Sequence, residues 1–449
     1  MQTHFSLAQL ADPATRESEQ ILRNCVHCGF CTATCPTYVL LGDERDSPRG
    51  RIYLIKEMLE GGGPPDPATV THIDRCLSCL SCMTTCPSGV HYMHLVDHGR
   101  AYVQAHYRRP AAERALRALL AAVLPRPGLF RLAMRGASLA RLGRGLLPRG
   151  GALAARLRAM LELAPEALPP AQAMPGGSVF PAEGPRRRRV ALLAGCVQQT
   201  LAPQINAATI RLLTRHGCEV VVPDGLGCCG ALVHHLGREA DAHAAARANV
   251  RALRRAEAAG AFDALLVNAS GCGTMLKDYG FLLREDPELA GAAADLAART
   301  RDISEFCAAG AAAGLDLSAA RAPRPLRVAY HAACSLQHGQ KVIAAPRRLL
   351  ADAGFELREI AEGHLCCGSA GTYNILQPEL AGRLRDRKAG HVGRTGADVL
   401  ATGNIGCLTQ LAPVLEMPAV HTVELLDWAT GGPVPAGLEL VAGPLAAAG

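Results

Sequence analysis

Eight cysteines near the start of the chain fall into two runs of identical spacing, Cys25-x2-Cys28-x2-Cys31-x3-Cys35-Pro36 and Cys76-x2-Cys79-x2-Cys82-x3-Cys86-Pro87. Two-residue gaps let three thiolates of one tight loop reach three corners of a single cubane. The fourth thiolate, followed by proline, points away to a second cluster. The spacing therefore predicts two 4Fe–4S clusters with crossed ligands. Cys25, Cys28, Cys31 and Cys86 serve one, and Cys76, Cys79, Cys82 and Cys35 the other. Structural zinc is the competing use, but a zinc site asks for one set of four ligands, not two duplicated runs each closed by proline. Covalent haem needs Cys-x-x-Cys-His, which does not occur, since His27 lies inside its run.

Between the runs, Ser47 followed by Pro48 opens a helical pattern. It carries Ile52, Ile55 and Leu59 on one face and stops at the glycines Gly61 to Gly63. A helix inserted between cluster loops resembles the α-helical ferredoxin domains of respiratory dehydrogenases more than the small free ferredoxins. Residues 1–100 are expected to form this two-cluster domain.

A second repeat follows on a larger scale. Cys196 to Cys228 and Cys334 to Cys366 each span 32 positions. Each second site is a Cys-Cys-Gly, Cys228-Cys229-Gly230 and Cys366-Cys367-Gly368, and each copy closes on Gly-Cys, Gly271-Cys272 and Gly406-Cys407. The copies are offset by 138 residues and read as two homologous modules, 189–310 and 325–428. Apolar runs at 190–194, 219–223 and 265–268 in the first, and at 327–330, 355–360 and 399–402 in the second, alternate with helical patterns. That alternation predicts parallel sheets, with the cysteines just past strand ends. The fold class is multidomain α+β, with an N-terminal α-helical ferredoxin domain, a helical basic linker over 101–188 and two α/β modules.

These modules resemble the CCG domain of heterodisulfide reductase subunits, which can hold unusual clusters. They depart from its fullest form: Ala269 and Asn404 stand where a closing Cys-x-x-Cys has its first cysteine. Cys196, Cys228, Cys229 and Cys272, with Cys334, Cys366, Cys367 and Cys407, are candidates for a further cluster. A thiol-rich quinone or partner site is the other reading. His234, His235, His331 and His364 neighbour these cysteines in the chain, where a structural or surface histidine is the commoner outcome. Cys218 and Cys307 fit neither pattern and read as small buried apolar residues.

The 18 cysteines in 449 residues point to metal in a reducing compartment, because the first twenty residues lack the basic and apolar regions of a signal peptide. No uninterrupted apolar stretch is long enough to span a bilayer. A cytoplasmic location follows as an expectation. The net charge of +7 is concentrated: twelve arginines and a single acid, Glu113, lie between Arg108 and Arg158. Interleaved leucine and alanine make this stretch either a peripheral membrane or partner surface or a solvated arginine-faced linker. With only 4% aromatic residues and no recognition module, nucleic-acid binding is not expected.

Longer stretches carry a more specific resemblance. The run from Cys25 to Tyr38, Pro48-Arg49-Gly50-Arg51-Ile52-Tyr53-Leu54, Cys86-Pro87-Ser88-Gly89-Val90, Ala194-Gly195-Cys196-Val197-Gln198, the run from Cys366 to Asn374, and Asn404-Ile405-Gly406-Cys407-Leu408 look like the glycolate oxidase iron–sulfur subunits. Ala332-Ala333 departs from the Asp-Pro that relatives tend to carry before the cysteine. The resemblance implies electron transfer from FAD on partner dehydrogenase subunits that oxidise glycolate to glyoxylate, toward a quinone or other acceptor. No Gly-x-Gly-x-x-Gly follows a strand and no catalytic residue is assigned to this chain, so the substrate chemistry is expected elsewhere. The alternatives are a related glycerol-3-phosphate, lactate or heterodisulfide complex, or a cluster-bearing sensor without turnover.

Overall fold

The computed structural model describes residues 1–141, 150–171, 174–310 and 314–439. The first hundred residues are helical. Pro13–Asn24, Pro48–Gly61 and Pro67–Asp74 each start with proline behind an acceptor side chain, Asp12, Ser47 or Asp66, which takes a free backbone N–H of the first turn. The second ends at Gly62, whose φ of 63° closes the helix in the left-handed region. With the helix Tyr92–His106 they bury Ile21, Leu22, Ile55, Ile73, Leu95 and Val103 in one core. The two cysteine runs lie on the loops around it.

The helices Ala111–Val123, Pro127–Ala140 and Ala152–Leu163 follow. Leu116 and Leu120 of the first pack into the core of the first module. Much of the arginine excess is spent internally. Arg109 and Arg117 are buried and pair with Asp74 and Glu113. Arg131 donates to the Pro169 carbonyl and Arg141 to the Ala164 carbonyl. No helix among the described residues is long and apolar enough to cross a membrane.

The modules are two open sheets. The first runs β1 (Ser178–Phe180), β3 (Cys218–Val222), β2 (Arg188–Leu193), β4 (Ala264–Val267), β5 (Thr300–Asp302), parallel except for the β1 edge. The second runs β7 (Glu356–Arg358), β6 (Arg327–His331), β8 (Val399–Thr402), β9 (Ala419–His421), all parallel. Apart from β1 the orders correspond, and so does register: Leu193 faces Val267 as His331 faces Thr402. Their central strands are buried over most of their length, as sheets covered on both faces require.

Packing between the modules is reciprocal. The helix Pro203–Arg215 of the first lies on Thr422–Ala429, the last helix of the second. Ala344–Asp352 of the second lies on Ile303–Ala308, the last helix of the first. One apolar core, including Leu212, Leu213, Leu350, Leu426 and Trp428, runs through both. Cys218 and Cys307 are buried in it.

Candidate metal centre

Each N-terminal run folds into the same loop. His27 and Gly29 in the first, and Ser78 and Leu80 at the same spacing in the second, have φ of 57°, 85°, 50° and 62°. Three non-glycine residues in the left-handed region are costly, on the order of 1 kcal/mol or more each. What they achieve is a turn tight enough to aim successive thiols inward. Cys35 and Cys86 each leave the loop in extended backbone before or after a short helix.

The eight side chains gather in one region. Cys25, Cys28, Cys31 and Cys86 line one cavity, and Cys82 of the second run lines it too. Cys35 is near Cys79 and Cys82, which are near Cys76. Burial pushes the Cys31 thiol up to about 11, and burial with neighbouring thiols pushes Cys79 and Cys82 up as well. Buried, crowded thiols of this kind become thiolates when a metal takes the place of the protons. An all-sulfur set of eight, divided four and four on two matching loops, fits a pair of 4Fe–4S clusters.

The surroundings of the two groups differ. Cys28 is exposed, and beside it Val26 and Phe30 are 67% and 65% exposed. Around the second group, Tyr92 Oη lies 3.6 Å from Cys76 Sγ and the Ser78 N–H 3.4 Å from it. The buried Arg51 guanidinium points Nη1 at Cys35 Sγ, while its other nitrogens bond Thr37, Asp46 and the His72 carbonyl. Arg51 shares the helical period of Ile55 and Met58. It falls on the buried face of its helix, four positions before Ile55, where helical spacing expects an apolar side chain and not a cation.

All eight cysteines of the modules converge. Cys196, Cys228, Cys229 and Cys272 line one wall of a cavity of about 190 Å³, and Cys334, Cys366, Cys367 and Cys407 the other. Leu77 and Ser78 of the second cluster loop reach the same cavity. Cys79 and Leu77 pack with Cys366 and Tyr373, and Cys334 lies against them. In the first module Cys228 accepts from the thiols of Cys196 and Cys229 and is held well below the ordinary thiol range. In the second, Cys334 and Cys366 are 3.7 Å apart.

The histidines separate in the same way. His331 lies with Cys367 and Cys407, their ligating atoms all within 4.8 Å of one another. His364 is exposed, and its carbonyl accepts from His338 Nε2. His234 and His235 face Asp97 across the boundary with the N-terminal domain. Lys388, missed in the sequence because it sits in an otherwise polar helical stretch, is buried beside Cys367, Cys366 and Cys407 and donates to the Glu362 carbonyl.

A second cavity, of about 160 Å³, adjoins the first and shares Val197, Leu232, Ser369, Gly371 and Gly406 with it. Its other side is Leu119, Leu120, Phe130, Met134 and Met160 from the arginine-rich helices. Asn374 and Thr409 add polar groups to a wall that is otherwise mostly apolar.

Residues 24–90 match the family described as a 4Fe–4S dicluster domain, and residues 190–277 and 328–412 each match the family described as a cysteine-rich domain. The chain is 42% identical to the glycolate oxidase iron–sulfur subunit of Escherichia coli (strain K12), covering 96% of this chain and 99% of that one. It is 34% identical to the probable glycolate oxidase iron–sulfur subunit of Bacillus subtilis (strain 168), over 93% and 96% of the two chains. Lactate utilization protein A of Exiguobacterium sp. (strain ATCC BAA-1283 / AT1b) is 29% identical over 53% of this chain and 96% of its own. Among solved structures, a hypothetical protein from Helicobacter pylori superposes with a TM-score of 0.52 at 9% identity, over 96% of this chain and 74% of that one, a likeness of fold alone.

Proposed function

The chain belongs to the family of glycolate oxidase iron–sulfur subunits, and from that premise we propose that it carries electrons from a flavin-bearing, glycolate-oxidising partner toward a quinone. It is an electron-transfer iron–sulfur subunit of an oxidoreductase complex. The clusters, when bound, supply one-electron acceptance and release; the chain's own residues hold them, cover them and decide what approaches.

The ligand sets are the crossed ones, Cys25, Cys28, Cys31 and Cys86 against Cys76, Cys79, Cys82 and Cys35. The observation that carries the reading is the order of exposure along the cysteine groups. The first loop is open to a partner at Cys28, Val26 and Phe30. The second is buried, and it touches the module cysteines through Leu77 and Cys79. An exposed apolar rim at one end suits the flavin subunit, which would cover it on docking.

At the other end, the mostly apolar cavity beside the module cysteines supports a quinone as acceptor, since a flat apolar ring with two carbonyls asks for such walls with a few polar groups. The helices that wall it expose Leu129, Leu132 and Leu139 with Arg135 among them. Leucine and arginine on one surface favour peripheral contact with an anionic leaflet, where such a quinone would be found.

The test is reduction of the anaerobically purified chain by glycolate in the presence of the flavin-bearing subunits, followed by EPR. Cluster signals that appear with glycolate and not with lactate support the reading. Signals with lactate alone move the chain to the lactate system, and silence with every 2-hydroxy acid moves it to a sensor.

A further inference from the structure

The two modules are copies, and corresponding positions can be compared residue by residue. Register sets Leu193 against His331, the last residues of β2 and β6. The close approaches of Gly230 to Ala242 and Ala245, and of Gly368 to Ala381 and Leu384, set the following helices in register and place Asn249 opposite Lys388. Where the first module has an aliphatic side chain and a neutral amide, the second has an imidazole and an ammonium.

Both changes fall on the cysteines. His331 is 2% exposed, and its Nε2 has no hydrogen-bond partner among the described residues. Leaving such a group bare costs about 1–3 kcal/mol, so a partner that the protein atoms do not provide is called for. Its ligating atom and the sulfurs of Cys367 and Cys407 lie within 4.8 Å of one another, all buried. Two thiolates on one tetrahedral ion at 2.3 Å sit about 3.8 Å apart, so a trio this close suits a single ion. Asn404 Nδ2 lies 3.5 Å from Cys407 Sγ, as an outer hydrogen bond to a ligating thiolate would. Lys388 sets a basic nitrogen beside Cys367 and Cys407, and Asn249 offers none to the first module.

We propose that His331, Cys367 and Cys407 bind one borderline-soft metal ion, zinc or ferrous iron, in the second module only. The proposal rests on the reading that the cysteine-rich modules take metal, and it adds a nitrogen ligand and an asymmetry to it. Three protein ligands leave a fourth position, and Cys367 and Cys407 both line the shared cavity, so that position faces the space between the modules.

The experiment compares wild type, His331→Leu and His331→Cys as full chains purified anaerobically. Total iron and zinc, the EPR signals of the N-terminal clusters and X-ray absorption are measured on each. Leucine is what the first module carries at this position, and cysteine keeps a metal ligand there. We expect about one metal equivalent above the two clusters in wild type, held at least tenfold less firmly against a chelator in His331→Leu. His331→Cys should retain it, with a nitrogen scatterer replaced by sulfur and the N-terminal signals unchanged. Zinc and iron are told apart by the metal count and the absorption edge. Extra metal that survives in His331→Leu with an unchanged ligand shell overturns the proposal and leaves metal in the modules. No metal beyond the clusters in wild type overturns both. If His331→Leu loses the N-terminal signals as well, His331→Cys decides alone: an unchanged nitrogen shell there overturns the proposal.

Discussion

Arg51 Nη1 lies 3.7 Å from Cys35 Sγ, inside the N-terminal core, and Arg51 is 1% exposed. A buried cation at that distance favours the more negative, reduced form of whatever the sulfur ligates. Replacing Arg51 by Gln should lower the midpoint potential of the cluster on the second run by on the order of 60 mV, one tenfold step of a one-electron couple. It should also destabilise the domain by about 3–5 kcal/mol, because Asp46 keeps its charge with fewer partners. Redox titration followed by EPR reads the first effect; an unmoved potential would show the cation to be structural only.

Crossed ligation has a direct test. Cys35→Ser should damage the cluster of Cys76, Cys79 and Cys82 and spare the other, and Cys86→Ser should do the reverse. Loss of the Cys25, Cys28 and Cys31 cluster in Cys35→Ser would mean that each run closes on itself.

The exposed ring of Phe30 offers apolar area to a partner while contributing nothing to the core. Phe30→Glu should leave iron content and melting unchanged and slow glycolate-driven reduction at least tenfold, since a charge in an apolar contact typically costs over 1 kcal/mol. Reduction at the wild-type rate would place the flavin subunit on another face.

Leu132 and Leu139 face outward from the helix Pro127–Ala140. The double change Leu132→Glu with Leu139→Glu should abolish co-sedimentation with anionic vesicles without loss of iron. The neighbouring Arg131 and Arg141 are poor sites for this test, because both hold backbone carbonyls, and Arg144 lies outside the described residues. Equal sedimentation of variant and wild type would reduce the basic region to a linker.

Stability should vary with pH through the last helix of the second module. Burial raises Glu424 from 4.5 to about 7, and burial lowers its capping partner His421 from 6.5 to about 4. The raised carboxyl contributes stability that is complete below about 4.5 and is lost as pH rises through 7. The depressed imidazole contributes stability that is complete above about 6.5 and is lost as pH falls through 4. Glu424→Gln should therefore remove a fall of about 2–3 kcal/mol between pH 5 and pH 8. Anaerobic melts across that range check it, and parallel wild-type and variant curves would refute it.

What could be read from the residues alone was whatever has a period. The cysteine runs, the module offset and the helix opened by Ser47 and Pro48 all repeat or punctuate, and β8 spans the apolar run at 399–402. Pairwise meetings were not legible. Nothing local in Cys272 or Cys407 says that both face one cavity, since that depends on how two sheets dock. Lys388 looks like a solvent-facing charge until tertiary packing closes over it. The arginine stretch misled in the opposite sense: its charge density suggested a free surface, yet Arg109 and Arg117 are buried against Asp74.

The reciprocal helix packing between the modules bears on how the protein comes apart. Since Pro203–Arg215 is covered by the final helix of the other copy, and Ala344–Asp352 by that of the first, neither half can melt without stripping the other. The duplication thus behaves as one cooperative unit, in which a chain severed between the copies would leave two aggregation-prone fragments. The cavity between their cysteines lasts only as long as the pair does.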